Sequence, residues 1–185
     1  VADEVRLKTL AVEKRLLMMG PDCGTAILDG VPLGFANAVA RGSVGIVAAS
    51  GTGAQEVSRL LDGAGAGVSQ LIGVGGRDLS AEVGGLMANL ALDFLIDDPD
   101  TTVIMMVSKP PAPEVADALL ARLAGIAANG TPVVACFLGQ DDSDTDGVLV
   151  RGTLEGGALA AAGLAGHPFT VTEPEPVHAP PGRVQ

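Results

Sequence analysis

The chain of 185 residues has no tryptophan, no tyrosine and only four phenylalanines. Any core must therefore be built from aliphatic side chains, which are plentiful because 48% of the residues are hydrophobic. Basic residues are also scarce: 11 lysines and arginines stand against 22 aspartates and glutamates, for a formal net charge of −11. Nucleic acids and anionic membrane surfaces both need clustered positive charge, so this composition argues against either as a partner.

Cysteines and long apolar segments are also few. Cys23 and Cys136 lie far apart with no metal-ligand spacing around them, which predicts small buried reduced thiols, a cytoplasmic protein and no metal site. No uninterrupted apolar run approaches the roughly 18 residues of a membrane span. The chain enters at Val1 directly on a helical pattern, which we interpret as a boundary within a longer protein.

Glycine is abundant, with 26 residues, many of them where apolar runs end. Four apolar runs rich in β-branched residues have the form of strands buried on both faces, and helical patterns separate them. This alternation predicts a flavodoxin-like, doubly wound parallel α/β sheet. The predicted strands cover residues 43–49, 68–74, 101–107 and 133–138, and the predicted helices begin near Gly53, Ser80 and Pro113.

We divide the chain into three parts. Residues 41–166 form the predicted α/β domain. Residues 1–40 show no core of their own and are interpreted as the end of an upstream domain, and residues 167–185 as a proline-rich flexible tail. Finer predictions are short strands at 16–19 and 26–28, an irregular segment at 31–41, a solvated acidic loop at 140–147 and a helix at 153–164.

The turn Ser50-Gly51-Thr52-Gly53 lies where the first parallel strand passes into a helix. Its N–H groups and the positive end of the helix dipole point at one spot, which suits an anion. The next two strands end in Arg77 and Lys109, and ligands of such sheets bind beyond these carboxyl ends. Together these residues predict a phosphate- or carboxylate-binding site, with a bidentate contact from Arg77.

Each candidate residue also has a simpler interpretation. The turn is then an ordinary capped helix start, Arg77 and Asp78 form an exposed ion pair, and Lys109 is a solvated side chain. His167 and His178 are more typical of a tail than of a catalytic site. The acidic residues 141–146 match no calcium-binding loop, so a solvated loop is the better interpretation.

Five motifs occur in a fixed order between residues 15 and 139: GPDCG, GSVGIVAASGTGAQEV, GVSQLIGVGGRDL, DDPDTTVIMMV and TPVVACFLG. This order resembles the alpha subunit of succinyl-CoA synthetase, which has a GPNCPG turn, a strand ending in SRSGT, a GIGGD turn, a DPxT strand and a PVV strand. Within that superfamily the chain is similar to the FdrA branch of acyl-CoA synthetase-like proteins, which carry SGTGxQE and GGRDL. The resemblance implies a phosphate-holding helix start at residues 50–53 and a CoA edge at Pro21, Asp22 and Cys23.

Departures from the family concern its phosphorylated histidine. The GEIGG segment, whose glutamate holds that histidine, is replaced by Val107-Ser108-Lys109-Pro110-Pro111, and no MGHAGA segment follows Gly139. The resemblance therefore implies that phosphohistidine chemistry is lost. The glycine-rich first turn of the CoA-binding half would lie upstream of Val1, which leaves residues 1–40 as a remnant of a CoA-binding, Rossmann-like domain.

The resulting expectation is an anion-binding subunit or fragment of a ligase or transferase that moves an acyl or carbamoyl group. The FdrA branch has been linked to oxamate carbamoyltransferase, so that activity is one candidate. The expected partners are a small anionic substrate, CoA or phosphate by resemblance, and further subunits of a homo- or hetero-oligomer. No general base is identifiable, and the alternative is a non-catalytic assembly or CoA/anion-binding module of a larger complex.

Overall fold

The computed structural model describes residues 1–170, which form one eight-stranded sheet with helices on both faces. The strands are β1 (Thr25–Leu28), β2 (Val31–Gly34), β3 (Arg41–Ala48), β4 (Val68–Gly73), β5 (Val103–Ser108), β6 (Val133–Phe137), β7 (Ser143–Thr145) and β8 (Val148–Arg151). The helices are α1 (Ala2–Glu13), α2 (Gly51–Gly63), α3 (Leu86–Asp97), α4 (Pro113–Ala128) and α5 (Leu154–Leu164).

The sheet has the strand order β2-β1-β4-β3-β5-β6-β8-β7. Its five central strands, β4 to β8 in that order, are parallel, and antiparallel strands flank them on both sides. The chain runs from β3 to β4 on one side and then returns to β5 on the other. The carboxyl ends of β3 and β5 are therefore a topological switch point, where ligands of such sheets bind. The predicted doubly wound fold is confirmed.

The core lies in two layers. One face of the sheet packs against α3 and α4, and the other against α2 and α5. Helix α5 lies close to the sheet because Gly157 has no side chain: a Cβ there would stand 2.7 Å from Met105 Cε and 3.0 Å from Cys136 Cβ. The absence of a side chain at this position lets the helix approach the strands closely enough to pack without large aromatic residues.

The predicted helix start at Ser80 is wrong. Residues 76–85 form turns, and α3 begins only at Leu86, after Gly85 with φ +73°. The Asp78 carboxylate accepts hydrogen bonds from the N–H groups of Met87 and Ala88, at 3.2 and 2.8 Å. A buried carboxylate from the preceding loop therefore caps this helix, in place of the local serine.

Three predictions for the outer segments are also wrong. Residues 16–19 form no strand. The segment predicted to be irregular contains β2, which pairs with β1, and the acidic loop contains β7, which pairs with β8. Arg151 stabilises this second hairpin, since its guanidinium donates to Asp144 Oδ1 at 2.8 Å. Both strands are only three or four residues long and lie at the sheet edges, where apolar periodicity is weak.

The N-terminal hairpin belongs to the same sheet, because β1 pairs with β4 through Ile27 and Leu71. The division of the chain at residue 40 remains a prediction. Most of the predicted flexible tail, with His178, lies outside the described residues. No helix within residues 1–170 is long and apolar enough to cross a membrane, and the cytoplasmic location remains a prediction.

Candidate anion-binding site

A pocket of about 660 Å³ lies beyond the carboxyl ends of β3, β4 and β5. We call it the edge pocket. Seven of the nine predicted site residues line it: Asp22, Cys23, Ser50, Gly51, Thr52, Arg77 and Lys109. The other two, Pro21 and Gly53, are not part of the lining. Sequence reasoning missed Thr25, Phe35 and Gln55, which line the same pocket.

The start of α2 supplies the donors of the edge pocket. Ser50 is extended, with φ −140° and ψ 107°, and its hydroxyl accepts a hydrogen bond from the N–H of Gly53 at 3.3 Å. The N–H groups of Gly51 and Thr52 have no partner in a helix of this geometry, and no other acceptor within residues 1–170 binds them. They are available to an anion, together with the positive end of the helix dipole.

Gly53 has a packing role in this turn. Its N–H is occupied by Ser50, and a Cβ on it would lie 2.9 Å from Ser50 Oγ and 3.1 Å from Val107 Cγ1. The structure thus places the Gly53 N–H on Ser50, and a donation from Gly53 to a ligand remains a prediction. Glycine at this position lets the first turn of α2 lie against β5, which brings the remaining donors to the end of the sheet.

Two cations line the pocket in addition. The Nε of Arg77 donates to Glu4 Oε2 at 2.9 Å, while half of the Arg77 side chain is exposed. A guanidinium has five N–H donors, so its outer edge remains able to bind a carboxylate or phosphate. Lys109 follows β5, is exposed, and makes no salt bridge within residues 1–170. Within the same residues, Asp22 contributes the only acidic side chain of the pocket lining.

Asp78 does not form an exposed ion pair with Arg77. It is completely buried and lies 2.7 Å from the Nζ of Lys8, which is also completely buried. The same Nζ donates to the carbonyl of Val74 at 3.1 Å. Sequence neighbours thus point in opposite directions: Asp78 binds α1 and α3 beneath the loop, and Arg77 lies at the surface of the pocket.

Glu4 connects this buried cluster to the pocket. Its Oε2 accepts from Arg77, and its Oε1 forms an ion pair with Lys8 Nζ at 3.1 Å without hydrogen-bond alignment. The same amine donates to Asp78 and to the carbonyl of Val74. Burial alone would raise the pKa of Glu4, but Arg77 and Lys8 together outweigh that effect and hold the pKa below its ordinary value. Glu4 is therefore a carboxylate that holds Arg77 in place.

The two cysteines have different environments. Cys136 is completely buried in β6, and burial, aided by Asp142, raises the pKa of its thiol to about 11. The prediction of a small buried thiol is confirmed for Cys136, and the raised pKa disfavours the reactive thiolate. Cys23 is only half-buried and lines the edge pocket, with Sγ 3.7 Å from the carbonyl of Thr25.

A second pocket, of about 500 Å³, lies between the middle of α2 and the start of α5. Its lining includes Thr153, whose hydroxyl accepts a hydrogen bond from the N–H of Gly156 at 3.0 Å and caps α5.

His167 lies beside Gly65, beyond the C-terminal end of α2. The edge pocket is at the other end of this 13-residue helix, which is about 20 Å long. Among residues 1–170, no group of three His, Cys, Asp or Glu side chains could hold a metal ion.

Comparisons with known proteins agree with this architecture. The model of the "CoA binding domain" family matches residues 40–138, which include β3 to β6 and the residues from three strand ends. Protein YahF of Escherichia coli, described as uncharacterized, is 55% identical over 169 residues, covering 90% of this chain and 32% of YahF. The alpha subunit of malate–CoA ligase from Methylorubrum extorquens is 30% identical over 115 residues, covering 60% of this chain and 38% of the subunit.

Among solved structures, the fold is similar to ATP citrate lyase from Methanothrix soehngenii in complex with citrate and coenzyme A. The TM-score is 0.65 at 14% identity, over 97% of this chain and 36% of the lyase chain. The chain thus spans about a third of the length of the proteins it matches. The family model begins at residue 40, and the interpretation of residues 1–40 as the remnant of an upstream CoA-binding domain remains a prediction.

Proposed function

The chain belongs to the CoA binding domain family, and from this premise we propose that its edge pocket holds the anionic group of a substrate in an acyl-transferring enzyme. The homology to the alpha subunit of malate–CoA ligase supports an enzyme of the CoA ligase type. We include in this proposal the narrower assignment to the FdrA branch, for which carbamoyl transfer is the candidate reaction. Phosphate, a carboxylate or the end of a CoA ester would present similar charge to this pocket.

One observation carries the proposal. Free N–H groups of Gly51 and Thr52, the outer edge of Arg77 and the amine of Lys109 line a single cavity at the switch point of the sheet. Donors fixed on a helix start need no reorganisation when an anion binds, and they favour negative charge that develops during acyl or phosphoryl transfer. Catalytic groups beyond these donors and cations would come from other parts of the enzyme.

The proposed chemistry uses no phosphohistidine from residues 1–170. His167 is separated from the edge pocket by the length of α2. Thr153 and Leu154 occupy the start of α5, which lies close to Gly53. In this proposal the anion binds directly to the helix start, and no protein side chain carries the phosphoryl group.

The decisive experiment is calorimetric titration of inorganic phosphate, oxamate, carbamoyl phosphate and CoA. The matched variants are Gly51→Pro and Gly51→Ala. Proline at the first helical position preserves the helix and removes one N–H donor, and extended Ser50 tolerates a following proline. Alanine adds a Cβ, whose nearest neighbour would be Thr25 Oγ1 at 3.4 Å, and keeps the donor.

We expect Gly51→Pro to weaken binding of the preferred anion by about fivefold, and Arg77→Ala or Lys109→Ala to weaken it by about tenfold, as for hydrogen bonds to charged groups. Gly51→Ala should bind like the wild type. So should Arg59→Ala, because Arg59 does not line this pocket. Equal binding by all variants, or no binding of any anion, would refute the anion site.

An assembly module is the second candidate function. Leu7 and Leu10 on α1 are 47% and 46% exposed, and β2 exposes Val31 and Leu33 at the sheet edge. Apolar surface of this kind is typical of faces that other protein parts cover. Anion binding in the titration separates the two candidates, because a purely structural module would retain this surface and bind none of the four ligands.

A further inference from the structure

Among the described residues, Phe35 is the only aromatic residue that lines the edge pocket, and its ring is exposed. It is 78% exposed, the highest value among the large hydrophobic side chains of residues 1–170. An exposed aromatic ring gains nothing from burial in the folded chain. Phe137, by contrast, is completely buried in β6.

The backbone on which this ring stands is fixed in position. The N–H of Phe35 donates to the carbonyl of Gly24 at 2.7 Å, and its carbonyl accepts from Gln55 Nε2 at 2.8 Å. Two residues later, Asn37 Nδ2 donates to the carbonyl of Gln55 at 2.7 Å. Gln55 lies in the second turn of α2, so the ring is tied to the same helix whose first N–H groups face the pocket.

Gly24 provides the inner support of the ring. A Cβ at Gly24 would lie 2.7 Å from Phe35 Cδ2 and 3.1 Å from Cε2, so the ring rests directly on the backbone of the turn that holds Asp22 and Cys23. One side of the ring is packed, and the rest is open at the pocket. This combination of fixed position and exposure is typical of a surface on which a ligand stacks.

The volume of the pocket indicates a ligand larger than a simple anion. A cavity of about 660 Å³ is of the size that small-molecule sites have, roughly 300–1,000 Å³, whereas a phosphate ion has only five heavy atoms. Once an anion occupies the start of α2, most of the cavity remains to be filled. Phe35 is the largest apolar side chain of the lining, and its ring is available to that remaining part.

We propose that Phe35 is a specificity-determining residue, and that the edge pocket takes an anion joined to a planar ring, with the anion at the start of α2 and the ring on Phe35. This inference rests on the proposed anion site and adds the class of ligand. A planar group stacked on an aromatic ring gains about two- to twelvefold in affinity beyond the effect of its buried area, and the buried area adds to this gain.

The test compares two probes that differ only in the group attached to the anion: phenyl phosphate and methyl phosphate. Calorimetric titration should show at least a fivefold preference of the wild type for phenyl phosphate. Phe35→Ala should abolish this preference and leave the affinity for methyl phosphate within twofold, and Phe35→Leu should retain part of it. Val31→Ala, an exposed apolar position on the same hairpin, is the matched control and should behave like the wild type.

The outcomes distinguish this inference from the proposal on which it rests. If both probes bind the wild type equally, or if Phe35→Ala keeps the preference, the ring is not a ligand platform, while the anion site stands. If neither probe binds, the anion site itself fails and this inference fails with it. Circular dichroism of each variant checks that the fold is unchanged.

Discussion

Helices α1 and α2 each position groups that line the edge pocket, but they bury different side chains: α2 buries mainly apolar residues and α1 buries charged ones. Helix α2 buries Ala54, Val57 and Leu61 against the sheet. Helix α1 buries Glu4 and Lys8, while Leu7 and Leu10 are about half exposed. The fully buried side chains of α2 are mainly apolar and contribute without direction, whereas those of α1 are paired charges, which must be aligned.

This difference matters for the pocket because each helix controls a different group in it. Helix α2 presents backbone donors, whose positions follow from the packing of the whole helix. Helix α1 controls Arg77 through a single carboxylate, Glu4. The donors should therefore tolerate changes that leave the helix packed, whereas the position of Arg77 depends on a few specific contacts.

The largest effect is expected for the charge that holds α1. Asp78→Ala leaves Lys8 buried without its closest partner and removes the cap of α3. Breaking a buried ion pair in this way costs about 3–5 kcal/mol. Urea denaturation should show that loss in the free energy of unfolding, and in Lys8→Met the further change Asp78→Ala should cost much less. A cost below about 1 kcal/mol in the wild-type background would contradict the buried pair.

A matched pair of leucines compares the two helices directly. Leu61 in α2 is completely buried, and Leu7 in α1 is 47% exposed. Leu61→Ala should lower the free energy of unfolding by about 3 kcal/mol through lost burial and a cavity, whereas Leu7→Ala should change it by less than about 0.5 kcal/mol. Thermal or urea denaturation of both variants decides the point, and equal losses would show that α1 also depends on its apolar residues.

The smallest effect is expected from the acid titration of Glu4. Its pKa is held low in the folded chain by Arg77 and Lys8 against the opposing effect of burial, so the folded state binds this proton less readily than the unfolded state. The resulting stability is present above the ordinary glutamate pKa of about 4.3 and is lost as the pH falls through the lowered value. Glu4→Gln should flatten the dependence of the free energy of unfolding on pH between about 5 and 3. The same slope in both proteins would exclude Glu4 as a source of acid sensitivity.

Apolar periodicity was sufficient to predict the four parallel strands β3, β4, β5 and β6 and the helices α2 and α4. Those elements are buried along a face or throughout, so their patterns are strong. The same reasoning failed at α3, whose first turn is capped by Asp78 from the preceding loop. It also failed at β2 and β7, which are short edge strands stabilised by pairing and, in β7, by Arg151.

The candidate site was predicted in a similarly uneven way. Residues 50–52, Arg77 and Lys109 could be identified because each follows a recognisable strand, and parallel strands bring such ends to one edge. Phe35 could not be identified, since it reaches the pocket through a hairpin that the sequence pattern did not indicate. Glu4 and Lys8 are four residues apart, a spacing that is typical of an ion pair on a helix surface. The sequence therefore did not indicate that both side chains are buried.

The sequence alone determined the doubly wound sheet, the glycine turn at its switch point and the strand-end cations, because burial period and turn chemistry are local properties of the chain. Tertiary structure decided which of two adjacent charges enters the pocket. Arg77 and Asp78 are neighbours in sequence, yet Asp78 is buried against Lys8, 70 residues away, and Arg77 is held at the surface by Glu4. The direction of a charged side chain depends on the partner that compensates its desolvation, and that partner is brought near only by folding.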